Sequence, residues 1–472
     1  MKRFLAGLIA MLLLLSVTAC GDKTPPQSEN SGTSSSAQED PWFDDIGDDG
    51  TTAPSATGTA APTKTQGTTR HNDNSSGWSS TDSRYTPQQL DTPYTLRSGI
   101  RGTVYAFTPF ANEDTTKKAV EMFKKAYPDA KLTIVSTTYA ARNEKLQALI
   151  RAGDVPDYVY GATLEYPFRA IKNLTMPIDE YIRPHPANDT FLMDNYTSWN
   201  GKRHCVIIKE VGEVMWYNTA LFSSKGEKTP EALYKEGNWT WDTFAALAKR
   251  MTDTDKGVWG FSTDQDWIFP ASVGQDLVRF ENGKAVFNMK NNAKYIQTYQ
   301  FFLDMILVQK SARPRHWDSY TEFAKGSVAM YYGSAAHYRQ FDKAGMKTYA
   351  CVPFPRRDKN SPYIAGAASM NEGFGIGMGA KNIEGGMAFG EMMTNAQLEL
   401  TGNFTDPQFS KIYQMLQEAK AQSVLSWASG LGLSELYLQD FMGDARTGRK
   451  DLNTLINEYA PKFEAKLNDL FK

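Results

Sequence analysis

Cysteine is scarce in this chain, and neither sign of charge predominates. Its 472 residues include three cysteines, 51 lysines and arginines, and 53 aspartates and glutamates. Three cysteines are too few to hold a chain of this length together as a disulfide scaffold. The formal net charge of −2 also lacks the basic excess that is typical of nucleic-acid-binding proteins. We therefore expect no nucleic-acid partner, and the length predicts two or more domains.

Motifs of several enzyme classes are also missing. The sequence has no GxxxxGK(S/T) phosphate-binding loop, no HExxH, no GxSxG and no CxxC. The glycines of residues 373–379 (GFGIGMG) lack the GxGxxG spacing and fit a bend between domains better than a dinucleotide site. We therefore predict no catalytic residues, no metal and no cofactor. Carboxylate pairs such as Asp264 and Asp266 leave a glycoside hydrolase open on composition alone.

The apolar stretch at the N-terminus is short. Residues 4–15 are apolar, whereas a helix that spans a bilayer needs about 20 such residues. A positively charged start, a short apolar run and small residues after it are typical of an export signal. Residues 17–20 (VTAC) resemble a bacterial lipobox; the alternative is an ordinary signal peptide with an incidental cysteine. We predict a lipoprotein signal peptide at 1–19 and a lipid on Cys20, which anchors the protein to the outer face of the cell membrane.

Apolar residues are nearly absent from residues 20–97. Roughly half of this segment is Ser, Thr, Gly or Pro, and its only Ile, Leu, Val or Phe residues are Phe43, Ile46, Leu90 and Leu96. Such a composition cannot bury enough apolar surface to offset the entropy lost on ordering. We therefore predict a disordered tether with an r.m.s. reach of roughly 45–55 Å.

The body, residues 98–472, alternates between strand and helix patterns. Residues 103–107 (TVYAF), 132–135 (LTIV) and 157–160 (DYVY) have strand character, and helical apolar faces separate them. This spacing predicts an α/β fold whose parallel strands are covered by helices. Residue 205, a cysteine, lies in another apolar strand-like run.

Motifs in a fixed order give the body a family resemblance. The motifs are residues 149–157 (LIRAGDVPD), 216–222 (WYNTALF) with 239–244 (WTWDTF), 323–330 (FAKGSVAM), and 281–284 (ENGK) with 447–450 (TGRK). Together they resemble the extracellular solute-binding proteins of ABC importers, of the carbohydrate type related to maltodextrin-binding protein. The resemblance covers essentially all of the body.

This resemblance implies a two-lobed α/β fold of the type II periplasmic-binding-protein kind, with an interlobe hinge and a mixed sheet flanked by helices in each lobe. Lobe 1 is expected at 98–206 and 319–376, and lobe 2 at 207–318 and 377–472. Hinge crossings are expected near residues 207–210, 316–320 and 375–379, at the glycine run. The implied protein is a monomeric receptor that passes a saccharide to the membrane subunits of an ABC permease.

A saccharide site needs aromatic side chains for the apolar ring faces, and carboxylates or amides for the hydroxyl groups. In open α/β sheets, ligands lie at the carboxyl ends of the strands. We therefore expect ligand contacts from aromatic and acidic residues near strand ends and at the implied crossings. These candidates are Glu113, Asp114, Tyr139, Thr163, Glu165, Glu210, Asp264, Asp266, Trp267, Trp317, Tyr332 and Trp427.

Several of these residues have a structural alternative. Glu113 or Asp114 could serve only as the N-cap of the following helix. Of Tyr331 and Tyr332, only one can face the cleft, because strand residues alternate between faces. The tryptophans inside two of the family motifs, Trp216 and Trp241, are expected to pack in the core.

The chain departs from the implied family at residues 333–338 (GSAAHY), where relatives often carry a stacking tryptophan. This departure argues against a maltodextrin-like ligand and favours another saccharide. Two alternative functions remain open: a sensory sugar co-receptor on the same fold, and a secreted glycoside hydrolase. Cys205 and Cys351 both lie in apolar strand-like runs, which favours buried thiols, with a disulfide between them as the alternative.

Overall fold

The structure is a computed structural model, and only part of the chain is described below. The described residues are 78–79, 96–162, 165–183, 197–209, 212–314, 317–367, 371–401, 412, 414–416, 418–424 and 426–472. The predicted signal peptide and Cys20 lie outside these residues, as do Thr163 and Glu210.

Strands are numbered here in chain order. They are β1 (Trp78–Ser79), β2 (Gly102–Thr108), β3 (Ala130–Ser136), β4 (Tyr158–Ala162), β5 (Ser198–Trp199), β6 (Lys202–Arg203), β7 (Val206–Lys209), β8 (Gly212–Asn218), β9 (Trp259–Thr263), β10 (Val278–Glu281), β11 (Lys284–Phe287), β12 (Val328–Ser334), β13 (Tyr349–Val352), β14 (Ile364–Ala367), β15 (Glu372–Gly375) and β16 (Gln422–Val424).

Helices are numbered in the same way. They are α1 (Asp114–Ala126), α2 (Arg142–Ala152), α3 (Phe168–Ile171), α4 (Thr219–Lys225), α5 (Pro230–Lys235), α6 (Trp241–Met251), α7 (Ile268–Ala271), α8 (Ala293–Leu307), α9 (Ser319–Ala324), α10 (Tyr338–Lys343), α11 (Ile383–Thr401), α12 (Trp427–Gly430), α13 (Met442–Thr447) and α14 (Leu452–Leu470). A π-helical segment, Glu435–Phe441, precedes α13.

The smaller sheet has five strands in the order β3-β2-β4-β15-β7. β2 pairs in parallel with β3 and β4, whereas β15 is antiparallel to β4 and β7. The helix between β2 and β3 buries Ala119 and Phe123, which lie on the apolar face that the sequence shows. α2 ends where Gly153 adopts a left-handed conformation with φ 81°, which glycine permits at little cost. The predicted strand–helix order is confirmed here.

The larger sheet has seven strands, with a central order β1-β13-β8-β12-β9. β14 pairs with both β8 and β16. The long helix α8 has an apolar face and buries Tyr299 and Phe302. Thr240 is the N-cap residue of α6, and its hydroxyl and that of Thr243 form a capping box. The architecture is thus mixed α/β with two main sheets flanked by helices, as predicted, and β5-β6 and β10-β11 form two further two-stranded sheets.

Two segments, β12 and α11, lie in the opposite lobe to the one expected. β12, within 319–376, pairs with β8 and β9 of the larger sheet. α11, within 377–472, packs on the smaller sheet, where Phe389 contacts Tyr158. The apolar pattern indicates a strand or a helix, but the sheet that it joins depends on partners far away in the sequence. From β2 onward, the described elements therefore change lobe after β7, after β14 and again after α11, and not near 316–320.

The glycine run does not form the expected bend. Gly373 and Gly375 belong to β15, and a Cβ on either would overlap a neighbouring backbone carbonyl oxygen, that of Val206 or that of His204. These glycines are therefore needed because two strands approach closely. The crossing between the sheets precedes them.

Two parts of the predicted tether belong to the folded body. β1 pairs antiparallel with β13, with Trp78 opposite Cys351 and Ser79 opposite Ala350. Arg97 is buried, and its Nε donates a hydrogen bond of 3.0 Å to Glu391 Oε1 on α11. The ordered body thus includes Arg97, one residue earlier than expected.

The core of the larger lobe contains the tryptophans of the family motifs. Trp216 is fully buried, and the Trp241 ring stacks on Phe301 with centroids 4.7 Å apart. The packing roles predicted for Trp216 and Trp241 are confirmed. Cys205 and Cys351 are buried free thiols, so the disulfide alternative is wrong. Burial raises the pKa of Cys205 to about 12.

None of the helices in the described ranges combines the length and the apolar character needed to cross a bilayer.

Candidate ligand-binding site

The parallel strands of the smaller sheet bring two predicted residues to one edge. Tyr139 follows β3, and Glu165 follows β4. Arg142, at the start of α2, joins them: its guanidinium donates to the Glu165 carboxylate and to the Tyr139 carbonyl oxygen. The same guanidinium lies 3.4 Å from the centroid of the Tyr139 ring, a cation–π contact.

The Glu165 carboxylate is bound from several sides within the protein. Besides Arg142, the backbone N–H of Ala162 donates to it, and Arg169 Nη2 lies 3.8 Å away. Arg169 is itself fully buried and donates to Tyr160 O. This acid therefore orders two arginines at the edge of the smaller sheet.

At one edge of the larger sheet, β9 and β12 end and β8 begins. β12 is parallel to β9 and antiparallel to β8, which produces this convergence. Asp264, Asp266 and Trp267 directly follow β9, as the sequence predicts for ligand contacts. Glu213 lies at the start of β8, and Tyr332 lies near the end of β12.

Asp266 is fully buried, and its two oxygens have protein partners. Tyr299 Oη donates to Oδ2 at 2.7 Å, and Tyr437 Oη donates to Oδ1 at 3.1 Å. Arg446 Nη2 lies 3.9 Å from Oδ2. Burial raises the pKa of Asp266, while the charge of Arg446 and the two tyrosine donors oppose this rise. Asp266 therefore fixes α8, α13 and the loop after β9 relative to one another.

Four residues beside it form what we call the polar cluster: Glu213, Asp264, Tyr332 and Arg446. Burial raises the pKa of Asp264 to about 7, and the charge of Arg446 opposes this rise. Burial also raises the pKa of Glu213 well above its ordinary value, and the charge of Asp264 adds to that effect. Tyr332 lies close enough to Glu213 to affect this pKa, but the pair does not reach hydrogen-bond geometry.

The two neighbouring tyrosines of β12 lie on opposite faces of the sheet, as alternation requires. Tyr332 packs with Phe354, and Tyr331 packs in the other core cluster with Phe341. The Tyr331 hydroxyl lies 2.8 Å from His337 Nδ1 and also lies near Asp264. Both rings are fully buried.

The two candidate tryptophans, Trp267 and Trp427, both pack on the core of the larger lobe. Trp267 is 8% exposed, and its Nε1 donates to Gln265 Oε1 at 2.6 Å. Trp427 is half-buried at the start of α12, where its ring contacts Phe280 edge-on with centroids 5.3 Å apart. Its backbone N–H donates to Asp276 Oδ2 at 2.8 Å.

The remaining described candidates are Glu113 and Asp114, which follow β2, and Trp317, which precedes α9. Glu113 is the N-cap residue of α1 but makes no side-chain capping bond, and the exposed Asp114 pairs with Lys117 at 3.4 Å. Trp317 is 43% exposed before α9.

Side chains of the two lobes touch each other. Lys172 Nζ, just after α3, donates to the Asp469 carbonyl oxygen of α14 at 2.8 Å. The ring of Trp199 contacts Phe280 and Phe471 of the larger lobe, with centroids 5.3 and 6.4 Å apart.

Sequence reasoning missed the arginines and one acid. Arg142 and Arg169 lie inside helical patterns, where an arginine is ordinarily solvent-exposed. Arg446 lies on a short helix near the end of the chain. Glu213 had a usable signal, because it is an acid within an otherwise apolar strand (GEVMWYN). Within the described ranges, no three His, Cys, Asp or Glu side chains are arranged to hold a metal ion.

Several solved structures have a fold similar to that of this chain. A sugar-binding protein of Xanthomonas citri matches with a TM-score of 0.62 and 14% identity, over 78% of this chain and 98% of that one. An ABC substrate-binding protein of Listeria monocytogenes, in complex with cycloalternan, matches with a TM-score of 0.58 and 17% identity, over 78% and 100%. A solute-binding protein of Agrobacterium vitis, with bound D-mannitol, matches with a TM-score of 0.53 and 15% identity, over 78% and 99%.

No curated protein sequence matches the chain. The family model described as bacterial extracellular solute-binding protein matches residues 106–399, which is more than half of the chain. The two α/β lobes and the chain crossings between them are consistent with this family match. The chain belongs to the bacterial extracellular solute-binding protein family.

Proposed function

We propose that this protein is a lipid-anchored extracellular receptor that binds an oligosaccharide between its lobes and delivers it to an ABC permease. The observation that carries the proposal is the pair of strand edges just described. Each edge has buried acidic and basic side chains with aromatic rings beside them, around Tyr139 and Glu165 in one lobe and around Asp264 and Trp267 in the other.

The chemistry of these edges suits a saccharide. Hydroxyl groups both donate and accept hydrogen bonds, so they can pair with carboxylates and with guanidinium groups. Aromatic rings such as Trp267 and Trp427 suit the apolar faces of sugar rings. Relatives with the same fold were solved with cycloalternan and with D-mannitol, which supports a ligand that is rich in hydroxyl groups and leaves its size open.

The anchoring part of the proposal rests on the N-terminal sequence. A lipid on Cys20 would keep the receptor at the outer face of the membrane, beside its permease, and the tether would give the body freedom to move. Binding does not require covalent chemistry at the site, so the saccharide should leave unchanged.

A glycan panel tests this proposal. The chain from Gly21 to Lys472, which lacks only the signal and the lipid-bearing cysteine, is titrated calorimetrically with mono- and oligosaccharides. We expect saturable binding of at least one saccharide, and its intact recovery after prolonged incubation. Breakdown of the sugar would instead indicate a glycoside hydrolase, and failure of every saccharide to bind would contradict the receptor.

A further inference from the structure

The charges in the polar cluster and at Asp266 do not balance. Glu213, Asp264, Asp266 and Arg446 are each 5% exposed or less. Arg446 is the cation that acts on both aspartates, and its Nη2 also donates to Thr263 O at 2.8 Å. In the described part of the chain, no cation pairs with Glu213. If all three acids were ionised, the group would carry two more negative charges than positive ones.

Several polar atoms of the cluster have no hydrogen-bond partner among the described residues. These atoms are Glu213 Oε2, Asp264 Oδ1, Tyr332 Oη, and Nε and Nη1 of Arg446. The Tyr332 hydroxyl and Glu213 Oε2 both lie directly over Gly366, where a Cβ would overlap them. A buried polar group without a partner costs about 1–3 kcal/mol, so the cluster is incomplete on its own.

The missing partner has to suit both the acceptors and the donors among these atoms, and the two Arg446 nitrogens can donate to hydroxyl groups of the same solute. Two carboxylate oxygens and a hydroxyl oxygen can accept hydrogen bonds, and the excess of acids favours a positive charge. An ammonium group supplies a unit charge and several N–H donors in a small volume. The described acids lack the grouping that a metal ion needs.

We infer that the solute carries a protonated amine, which Glu213 and Asp264 bind as an ion pair and which Tyr332 contacts through its hydroxyl oxygen. The inference rests on the proposed function, because it places the amine on the saccharide. It makes Glu213 and Asp264 specificity-determining residues. An anionic solute is disfavoured, because three buried acids, Glu213, Asp264 and Asp266, outnumber the one arginine of this group.

Binding of an amine should also move protons. Without the solute, burial favours the protonated forms of Glu213 and Asp264; the groups that act on these acids are Tyr331, Tyr332, Asp266 and Arg446. A bound ammonium favours the ionised acids, so protons are released to the buffer. A neutral sugar would release none.

The test compares matched sugars. D-glucosamine, N-acetyl-D-glucosamine and D-glucose, and the corresponding β-1,4 trisaccharides, are titrated into the chain from Gly21 to Lys472 at pH 6.5, in phosphate and in imidazole. We expect the amine-bearing sugar to bind about 10- to 100-fold more tightly than its neutral counterparts, as a charged hydrogen bond allows. Its binding heat should differ between the two buffers, because protons are released.

Substitutions in the polar cluster test which residues cause the preference for the amine-bearing sugar. Glu213→Gln and Asp264→Asn should each abolish most of the preference for the amine, and thermal melts check that both variants fold. Glu231→Gln is the matched control: it removes an acid of the same lobe that pairs with Lys235 at 2.7 Å, and it should keep the preference.

Three outcomes would overturn the inference. Equal or stronger binding of the neutral sugars refutes it while the saccharide receptor stands. A preference that survives in both cluster variants refutes the assignment to Glu213 and Asp264. If no sugar binds, neutral or amine-bearing, the inference and the proposed function fail together.

Discussion

At the residue scale, buried acids and tryptophans have distinct roles in the larger lobe. Asp266 has both oxygens engaged by tyrosine hydroxyls, whereas Asp264, two residues earlier, has an oxygen without a partner. Trp241 stacks inside the core, whereas Trp267 lies at the loop after β9. We therefore propose ligand contact for Asp264 and Trp267, and a packing role for Asp266 and Trp241.

The two tryptophans should separate stability from binding. Trp241→Ala should lower the free energy of unfolding by roughly 3–5 kcal/mol, because a large buried aromatic leaves a cavity, and saccharide binding by the folded fraction should persist. Trp267→Ala should weaken saccharide binding by roughly 2–4 kcal/mol if it is a central anchor. Because the Trp267 ring also packs on the core, Trp267→Ala should lower the melting temperature as well, though less than Trp241→Ala does. Calorimetric titration and denaturant unfolding measure both; normal binding by Trp267→Ala would refute its placement in the site.

Asp264 should make stability depend on pH. The pKa of Asp264 in the folded protein, about 7, lies above its ordinary value. Between about pH 4 and 7, the folded protein therefore keeps a proton on Asp264 that the unfolded chain has lost. Its contribution therefore favours the folded state at low pH and is lost as the pH rises through 7. We expect Asp264→Asn to gain stability relative to the unmodified protein as the pH rises from 4 to 7, measured by urea unfolding.

The control for this titration is Asp358→Asn. The exposed Asp358 accepts hydrogen bonds from Asn360 and Ser361, which lower its pKa. Its stabilising contribution is therefore present at neutral pH and lost in acid, so this variant should lose relative stability as the pH rises. The same trend in both variants would contradict the raised pKa of Asp264.

At the element scale, the sequence predicts whether a segment forms a strand or a helix better than it predicts which lobe the segment joins. The order β2-α1-β3-α2-β4 follows from local periodicity, and residues near strand ends, such as Tyr139 and Asp264, do lie at sheet edges. The assignment of β12 and α11 to lobes could not be made, because it depends on pairing between distant strands. The arginines of both edges were missed, since a buried arginine has no local pattern that distinguishes it from an exposed one.

The N-terminal boundary of the body gives a prediction at this scale. A chain that begins at Leu96 should melt close to the full chain, because β1 contributes only two paired residues. A matched chain that begins at Ser98 should be roughly 1–3 kcal/mol less stable, since it loses the buried contacts of Arg97 with Glu391 and Glu384. Chemical unfolding compares the two. Equal stability would show that Arg97 is dispensable, and a large loss in both would show that earlier residues pack on the body.

At the scale of the whole molecule, we propose that a signal, a tether and a two-lobed body form one receptor. The lobes are linked by chain crossings and touch through side chains such as Lys172 and Trp199. A ligand that contacts both lobes stabilises their closed arrangement only as far as it binds that arrangement more tightly than the open one. Transport would then depend on anchoring and on closure together.

Anchoring can be tested by itself. Cys20→Ala should prevent lipid attachment, and the protein should appear in the medium or remain as an uncut precursor. Membrane fractionation and the mobility of the protein on gels distinguish these results. Cys205→Ala is the control, because that buried thiol should have no effect on localisation. A Cys20 variant that fractionates and migrates like the unmodified protein would refute the lipid anchor.

The central claim is that a saccharide binds between the two lobes. Hydrogen–deuterium exchange of the chain from Gly21 to Lys472, with and without saturating saccharide, tests it most directly, because protection reports each lobe separately. We expect slower exchange at both strand edges, around Tyr139–Arg142 and around Asp264–Trp267. Protection in one lobe only, or no protection with any saccharide, would contradict it.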